Sequence, residues 1–209
     1  MSRSKNYQSS TRWLLVGAMA SEVLPVLKAM GNVSVVNRRF VTGTLFGLQV
    51  GLLRCGVGPV RAERRTRATL TIWSADSVLS FGTCGALADS INVGETYVVS
   101  ALVGYSGPLI IGTSPTATLI TVQEPVFTAT RRRLLQSEAS ICDMEAMAVQ
   151  RAAGEVPFGA IKVVSDLAGE GDDPRTSPAS MLRFQMRATR LVNSSLLPRL
   201  LTLLCSRES

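Results

Sequence analysis

The order of its apolar runs most constrains what this chain can fold into. WLLVGAM (13–19), SVLSFG (77–82) and VPFGAIKVVSD (156–166) are short and almost continuously apolar. Such runs read as buried strands, the kind found in parallel sheets covered by helices. Helix signals lie between them. SEVLPVLKAMG (21–31) has apolar residues at helical spacing and a terminal Gly, despite Pro25, and GPVRAERRTRATLTIW (58–73) reads as an Arg-rich helix. RRFVTGTLFG and LQVGLLRCG are two strands of a hairpin around Gly47, ETYVVSALVGY is a strand, and another strand lies within SGPLIIGTSPTATLITV. FTATRRRLLQS is a short helix, and CDMEAMAVQRAAG is a helix ending at Gly154. PASMLRFQMRATRLVNSSLLPRLLTLL is a long C-terminal helix broken near Pro198. TCGALADS (83–90) is expected as a loop after its strand. Strands and helices alternate, with a hairpin inside. The predicted fold is therefore α/β: a single domain with a mixed, largely parallel central sheet flanked by helices.

A chain of 209 residues, 46% hydrophobic and 18% charged, has the length and composition of one globular domain. No apolar run reaches the roughly 18–20 residues of a membrane span. The polar segment MSRSKNYQSSTR has no apolar signal core, so residues 1–12 are expected to be a flexible tail ahead of a domain over 13–209. Cys55, Cys84, Cys142 and Cys205 show no CxxC spacing and read as small buried hydrophobes in a reducing compartment. There is no histidine. That excludes Cys/His zinc sites and every Ser-His or Cys-His catalytic scheme, and leaves acid–base chemistry to carboxylates, Lys, Tyr or Cys. No metal or other cofactor is predicted.

The net charge of +7 admits nucleic acid or another anion as partner. Yet the bases are scattered, and the densest clusters, RAERRTR (61–67) and RRR (131–133), lack interleaved aromatics. Both read as solvated helix faces, so nucleic acid is not the expected partner.

In open α/β sheets ligands bind at the carboxyl ends of strands. Polar clusters fall there: Ala18-Met19 with Glu22, Gly82-Thr83-Cys84-Gly85, and Ser165-Asp166. A fourth, Asp143-Met144-Glu145, sits in an apolar run, where a buried charge must be paired or useful. Taken singly, each has an ordinary explanation. Glu22 suits a helix dipole, Asp166 a turn or N-cap, Asp143 a helix cap, and GVGPVR (56–61) a tight strand-to-helix turn, since Arg61 stands where a dinucleotide loop needs Gly. FGTCGAL presents N–H groups and a hydroxyl to a polar or anionic ligand.

In order, GAMxxE, then G-T-C-G-A, then D-M-E-A-x-A, then strand-SD resemble the purine nucleoside phosphorylase/nucleosidase superfamily. The resemblance is greatest to 5′-methylthioadenosine/S-adenosylhomocysteine nucleosidase-like proteins, including the hopanoid-associated nucleosidase relatives. It implies a nucleoside phosphorylase-like fold and an N-glycosyl hydrolase freeing adenine from a 5′-substituted adenosine. It also implies a cytoplasmic homodimer of purine nucleoside metabolism, with a small-molecule nucleoside as ligand and no membrane insertion. Glu22 matches the acid that activates water, and Asp166 the acid that protonates the purine N7. Glu145 matches the residue gripping the ribose hydroxyls, and Met144 the side chain under the sugar. Ala18, Met19, Gly82, Thr83 and Cys84 line the sugar and nucleophile side. Phe127 or Val126 holds the base, and Ser165 and Lys162 complete the site; relatives often carry Arg at the place of Lys162. For this chemistry one acid, Asp166, must be pushed up and another, Glu145, kept ionised.

Phosphorylases of the superfamily carry phosphate-holding arginines in the first loop and before the glycine loop. Here those places read GAMASE and LSFG. Glu22 would repel phosphate, which favours water as nucleophile; phosphorolysis is the alternative. A non-catalytic nucleoside- or nucleic-acid-binding protein is the alternative from another class. The segment Tyr105–Thr118 is shorter than in the methylthioadenosine nucleosidases, and this leaves the 5′ substituent open.

Overall fold

The computed structural model describes residues 11–112, 115–170 and 176–206. Most of the expected tail, residues 1–10, lies outside the described residues. β1 (Arg12–Gly17), β4 (Leu48–Arg54), β5 (Ser77–Ala86) and β9 (Phe158–Leu167) make the parallel centre: β1 pairs with β4 and β5, and β5 with β9. β1 shows why these runs are apolar throughout. Leu14 and Val16 enter one core and Trp13 and Leu15 the other, on opposite faces of the strand. β3 (Phe40–Leu45) and β4 form the hairpin, turning at Phe46-Gly47, both with positive φ.

An unpredicted edge strand, β2 (Gly31–Asn37), pairs antiparallel with β3. All seven of its residues are exposed, so it has no apolar face for a sequence pattern to mark. β6 (Thr96–Leu102), β7 (Thr116–Thr121) and β8 (Ile141–Asp143) complete the order β2-β3-β4-β1-β5-β8-β7-β6-β9. Because β9 also pairs with β5, the strands β5, β8, β7, β6 and β9 close into a ring. The sheet is mixed as expected, with antiparallel pairs in the hairpin and at β5/β8 and β6/β9.

The helices are α1 (Ala20–Ala29), α2 (Pro59–Ile72), α3 (Ala129–Gln136), α4 (Ala146–Ala153), α5 (Pro178–Leu191) and α6 (Leu197–Cys205). A π-helical turn at Val192–Leu196 joins the last two and makes the break expected near Pro198, whose missing N–H cannot continue the helical ladder. No helix among the described residues is long and apolar enough to cross a membrane.

Four expectations are corrected. Residues 83–86 continue β5 rather than forming a loop, because β9 and β8 supply ladder partners to its far end. Cys142 and Asp143 belong to strand β8, paired with β5 and β7, so the helix begins only at Ala146. Cys205 is exposed, unlike the three other cysteines. The RRR cluster is not wholly solvated: Arg132 is buried, donates to the Leu87 carbonyl (2.9 Å), and pairs with Asp89 (2.5 Å) and Glu170 (3.0 Å).

Candidate active site

The ends of β1, β5 and β9 and the start of α4 open into one cavity of about 570 Å³. That is ample for a small organic ligand. Glu22, in the first turn of α1, projects between β1 and β5. Its Oε2 accepts from the backbone N–H groups of Ala18 (3.0 Å) and Met19 (2.9 Å). Its Oε1 accepts from the Thr83 N–H (2.8 Å) and the Thr83 hydroxyl (2.8 Å). The donors expected to hold a ligand anion at the glycine segment thus hold the protein's own carboxylate. Gly82 makes this possible: its φ is +143°, and a Cβ there would lie 2.6 Å from Glu22 Oε1.

Asp143 is buried and made useful in three ways. Its Oδ2 accepts from the Ala146 N–H (3.0 Å), the capping role expected for it. The same oxygen pairs with Lys162 Nζ at 2.8 Å, while Oδ1 accepts from the Thr121 hydroxyl (2.7 Å). Lys162 also donates to Ser80 Oγ (3.1 Å). Burial opposes its charge, but Asp143 and then Glu145 outweigh it, and its pKa is raised.

Glu145 stands at the N-cap position of α4, and its Oε1 accepts from the Gly58 N–H at 2.7 Å. Gly58, at φ +96°, is the strand-to-helix turn expected in GVGPVR, and that turn now has a use. Burial first, then the nearby Asp143 charge, push Glu145 up to about 8; Lys162 and the Gly58 bond pull the other way. This upward shift runs against the expectation that Glu145 is kept ionised. Asp143, two residues before it, is thus more than a cap for α4.

Asp166 is raised as expected, by burial, with the Ser165 hydrogen bond and the Arg187 charge opposing. The Ser165 hydroxyl lies within hydrogen-bonding distance of both the Asp166 carboxyl and the Cys84 carbonyl (3.2 Å). One hydroxyl proton serves only one acceptor. With Asp166 neutral, it donates to Ser165 and Ser165 donates to Cys84, so both bonds are made.

Of the predicted residues, Ala18, Met19, Glu22, Thr83, Cys84, Val126, Phe127, Met144, Glu145, Ser165 and Asp166 line the cavity. Gly82 and Lys162 do not; they act from behind, on Glu22 and Asp143. The Cys84 thiol is pushed up by burial, and Cys142, also in the wall, is raised to about 12 by burial and Asp143. Neither is a thiolate nucleophile. Sequence reasoning missed the cover. Ser180, Met181, Arg183, Phe184 and Arg187 of α5 line the cavity in helical register, and Val57 lines it beside Gly58. The 180/183/184/187 spacing was a legible signal of one helix face, but not of what it faces.

Residues 12–112 match the family model described as Phosphorylase superfamily. A 5′-methylthioadenosine/S-adenosylhomocysteine nucleosidase of Shewanella oneidensis is 33% identical over 89 residues, 41% of this chain and 38% of that protein. The Anoxybacillus flavithermus protein of that name is 35% identical over 92 residues, 43% of this chain and 40% of that one. The match therefore spans about two-fifths of these curated relatives. In fold the likeness covers nearly everything. A Colwellia psychrerythraea nucleosidase of the same name, solved with adenine, superposes with a TM-score of 0.74 at 22% identity, over 94% of this chain and 95% of that one. Futalosine hydrolase of Helicobacter pylori gives 0.72 at 17%, over 94% and 98%. Residues 12–112 thus resemble the phosphorylase superfamily in sequence, and the chain as a whole shares the fold of these nucleosidases.

Proposed function

We propose that this protein is a nucleosidase that hydrolyses the N-glycosidic bond of a 5′-substituted adenosine, releasing adenine and a ribose derivative. The observation that carries the reading is the convergence of Glu22, Glu145 and Asp166 on one cavity, each held differently. N-glycosidic cleavage passes through an oxocarbenium-like sugar and needs an acid for the base, negative charge near the sugar, and water on the opposite face. Asp166, raised by burial, is the acid at the purine N7. Glu145 accepts from the ribose hydroxyls, with Met144 and Met19 against the sugar. Glu22 receives the proton of the attacking water. The names of the relatives agree with this chemistry.

Water is favoured over phosphate by the N–H groups of Ala18, Met19 and Thr83. They are already occupied by the Glu22 carboxylate, which would repel a phosphate dianion. A cytoplasmic homodimer, as the resemblance implies, belongs to the same proposal, and light scattering in solution tests the assembly. The experiment for the reaction is a panel of 5′-substituted adenosines, assayed for free adenine with and without phosphate. Base release independent of phosphate is expected. Strict dependence on phosphate, with ribose-1-phosphate products, would establish phosphorolysis instead.

A further inference from the structure

We propose that the Thr83 hydroxyl is a catalytic relay: it takes a proton from the attacking water as it passes its own to Glu22. This rests on the nucleosidase reading above. The argument is a count of lone pairs. A carboxylate offers about four acceptor sites, two on each oxygen. In Glu22 all four are used, by the N–H groups of Ala18, Met19 and Thr83 and by the Thr83 hydroxyl. A water bonding directly to Glu22 must displace one of these donors. Three are backbone N–H groups of the β1–α1 junction and of β5, and displacing one costs it its carboxylate partner. The fourth is a hydroxyl, which differs in kind because it can accept as well as donate. Thr83 lines the cavity, so its free lone pairs are open to a bound water.

The step balances. An O–H bond of water breaks as one to Thr83 Oγ1 forms, and the original Thr83 O–H breaks as Glu22 Oε1–H forms. The water oxygen bonds to C1′ while the C1′–N9 electron pair leaves with the base, which takes a proton from Asp166. Afterwards the neutral Glu22 donates to Thr83 Oγ1, and its three backbone bonds are unchanged. Direct transfer has no such path. The hydroxyl must first turn away, and then it contributes nothing.

Thr83→Val separates the two. It keeps the size and the backbone N–H and removes the relay, and its added methyl takes the place of the hydroxyl over the Glu22 lone pair. The relay predicts that single-turnover adenine release falls by about 10²–10⁴-fold. Adenine affinity should stay near wild type while the thermal midpoint falls with the lost bond to Glu22, and Thr83→Ser should recover the midpoint and bring the rate to within about tenfold. A Thr83→Val rate within about threefold of wild type overturns the relay and leaves Glu22 as a direct base. If Thr83→Val does not fold, the proton inventory of the wild-type enzyme in H₂O/D₂O mixtures decides. With the Asp166 proton also in flight, a cubic dependence on deuterium fraction supports the relay, and a quadratic one overturns it. Failure of the wild-type protein to release adenine from any substrate sinks the nucleosidase reading itself, and the relay with it.

Discussion

The floor and the cover of the cavity are built by different rules. On the floor, each acid is held by bonds from the sheet or a helix start: Glu22 by four donors, Asp143 by Lys162, Thr121 and Ala146, Glu145 by Gly58, and Asp166 by Ser165. On the cover, only Ala188 and Leu191 of α5 are buried, and the face over the cavity carries Met181, Phe184 and two arginines. Rigid elements hold groups to the precision that chemistry needs, whereas loosely packed ones can change without loss of the fold. Under the proposed function, the floor would set the reaction and the cover the 5′ substituent that is accepted.

Substitutions can break this division. Glu22→Gln should have the largest effect on turnover, lowering kcat by roughly 10³-fold or more while leaving nucleoside affinity within a few-fold. Stopped assays of adenine release beside equilibrium binding check both halves. Asp166→Asn should cost about 10²–10³-fold in kcat, since the amide cannot supply the proton. Lys162→Met removes the partner of an Asp143 side chain that is 1% exposed, and should cost about 3–5 kcal/mol in chemical denaturation.

Glu145 gives a prediction in pH. Folded, it holds its proton to about 8, whereas unfolded it releases it near the ordinary value of 4.5. Between those values the unfolded chain binds fewer protons than the folded one, so ligand-free stability falls as pH rises through this window. Glu145→Gln should flatten that slope, as thermal melts across the window would show. The smallest effect belongs to the cover. Phe184→Ala should raise KM by several-fold, change the ranking of 5′ substituents, and leave kcat within about twofold. A loss of kcat as deep as that of Glu22→Gln would erase the distinction between cover and floor.

The sequence made the parallel centre legible because β1, β5 and β9 are buried on both faces and so are apolar at nearly every position. It hid β2, which buries nothing, and it hid the continuation of β5, where Gly82, Thr83 and Gly85 mimic loop chemistry inside a strand. Glu22, Glu145 and Asp166 stood out as acids at strand and helix ends. Their partners did not. That Gly58 serves Glu145 across 87 positions, or that Thr83 serves Glu22 across 61, is a property of the folded chain and leaves no local pattern. Of the paired pKa expectation the Asp166 half agrees with the structure, and the Glu145 half does not, because burial and the Asp143 charge two residues away both push Glu145 up.

The most direct test of the floor's chemistry is hydrolysis of a 5′-substituted adenosine in ¹⁸O-labelled water without phosphate, followed by mass analysis of the sugar product. Attack by a water at C1′ predicts one ¹⁸O atom in the freed ribose derivative for each adenine released, with both slowed roughly 10³-fold or more by Glu22→Gln. Adenine release that requires phosphate and yields an unlabelled sugar phosphate would contradict it.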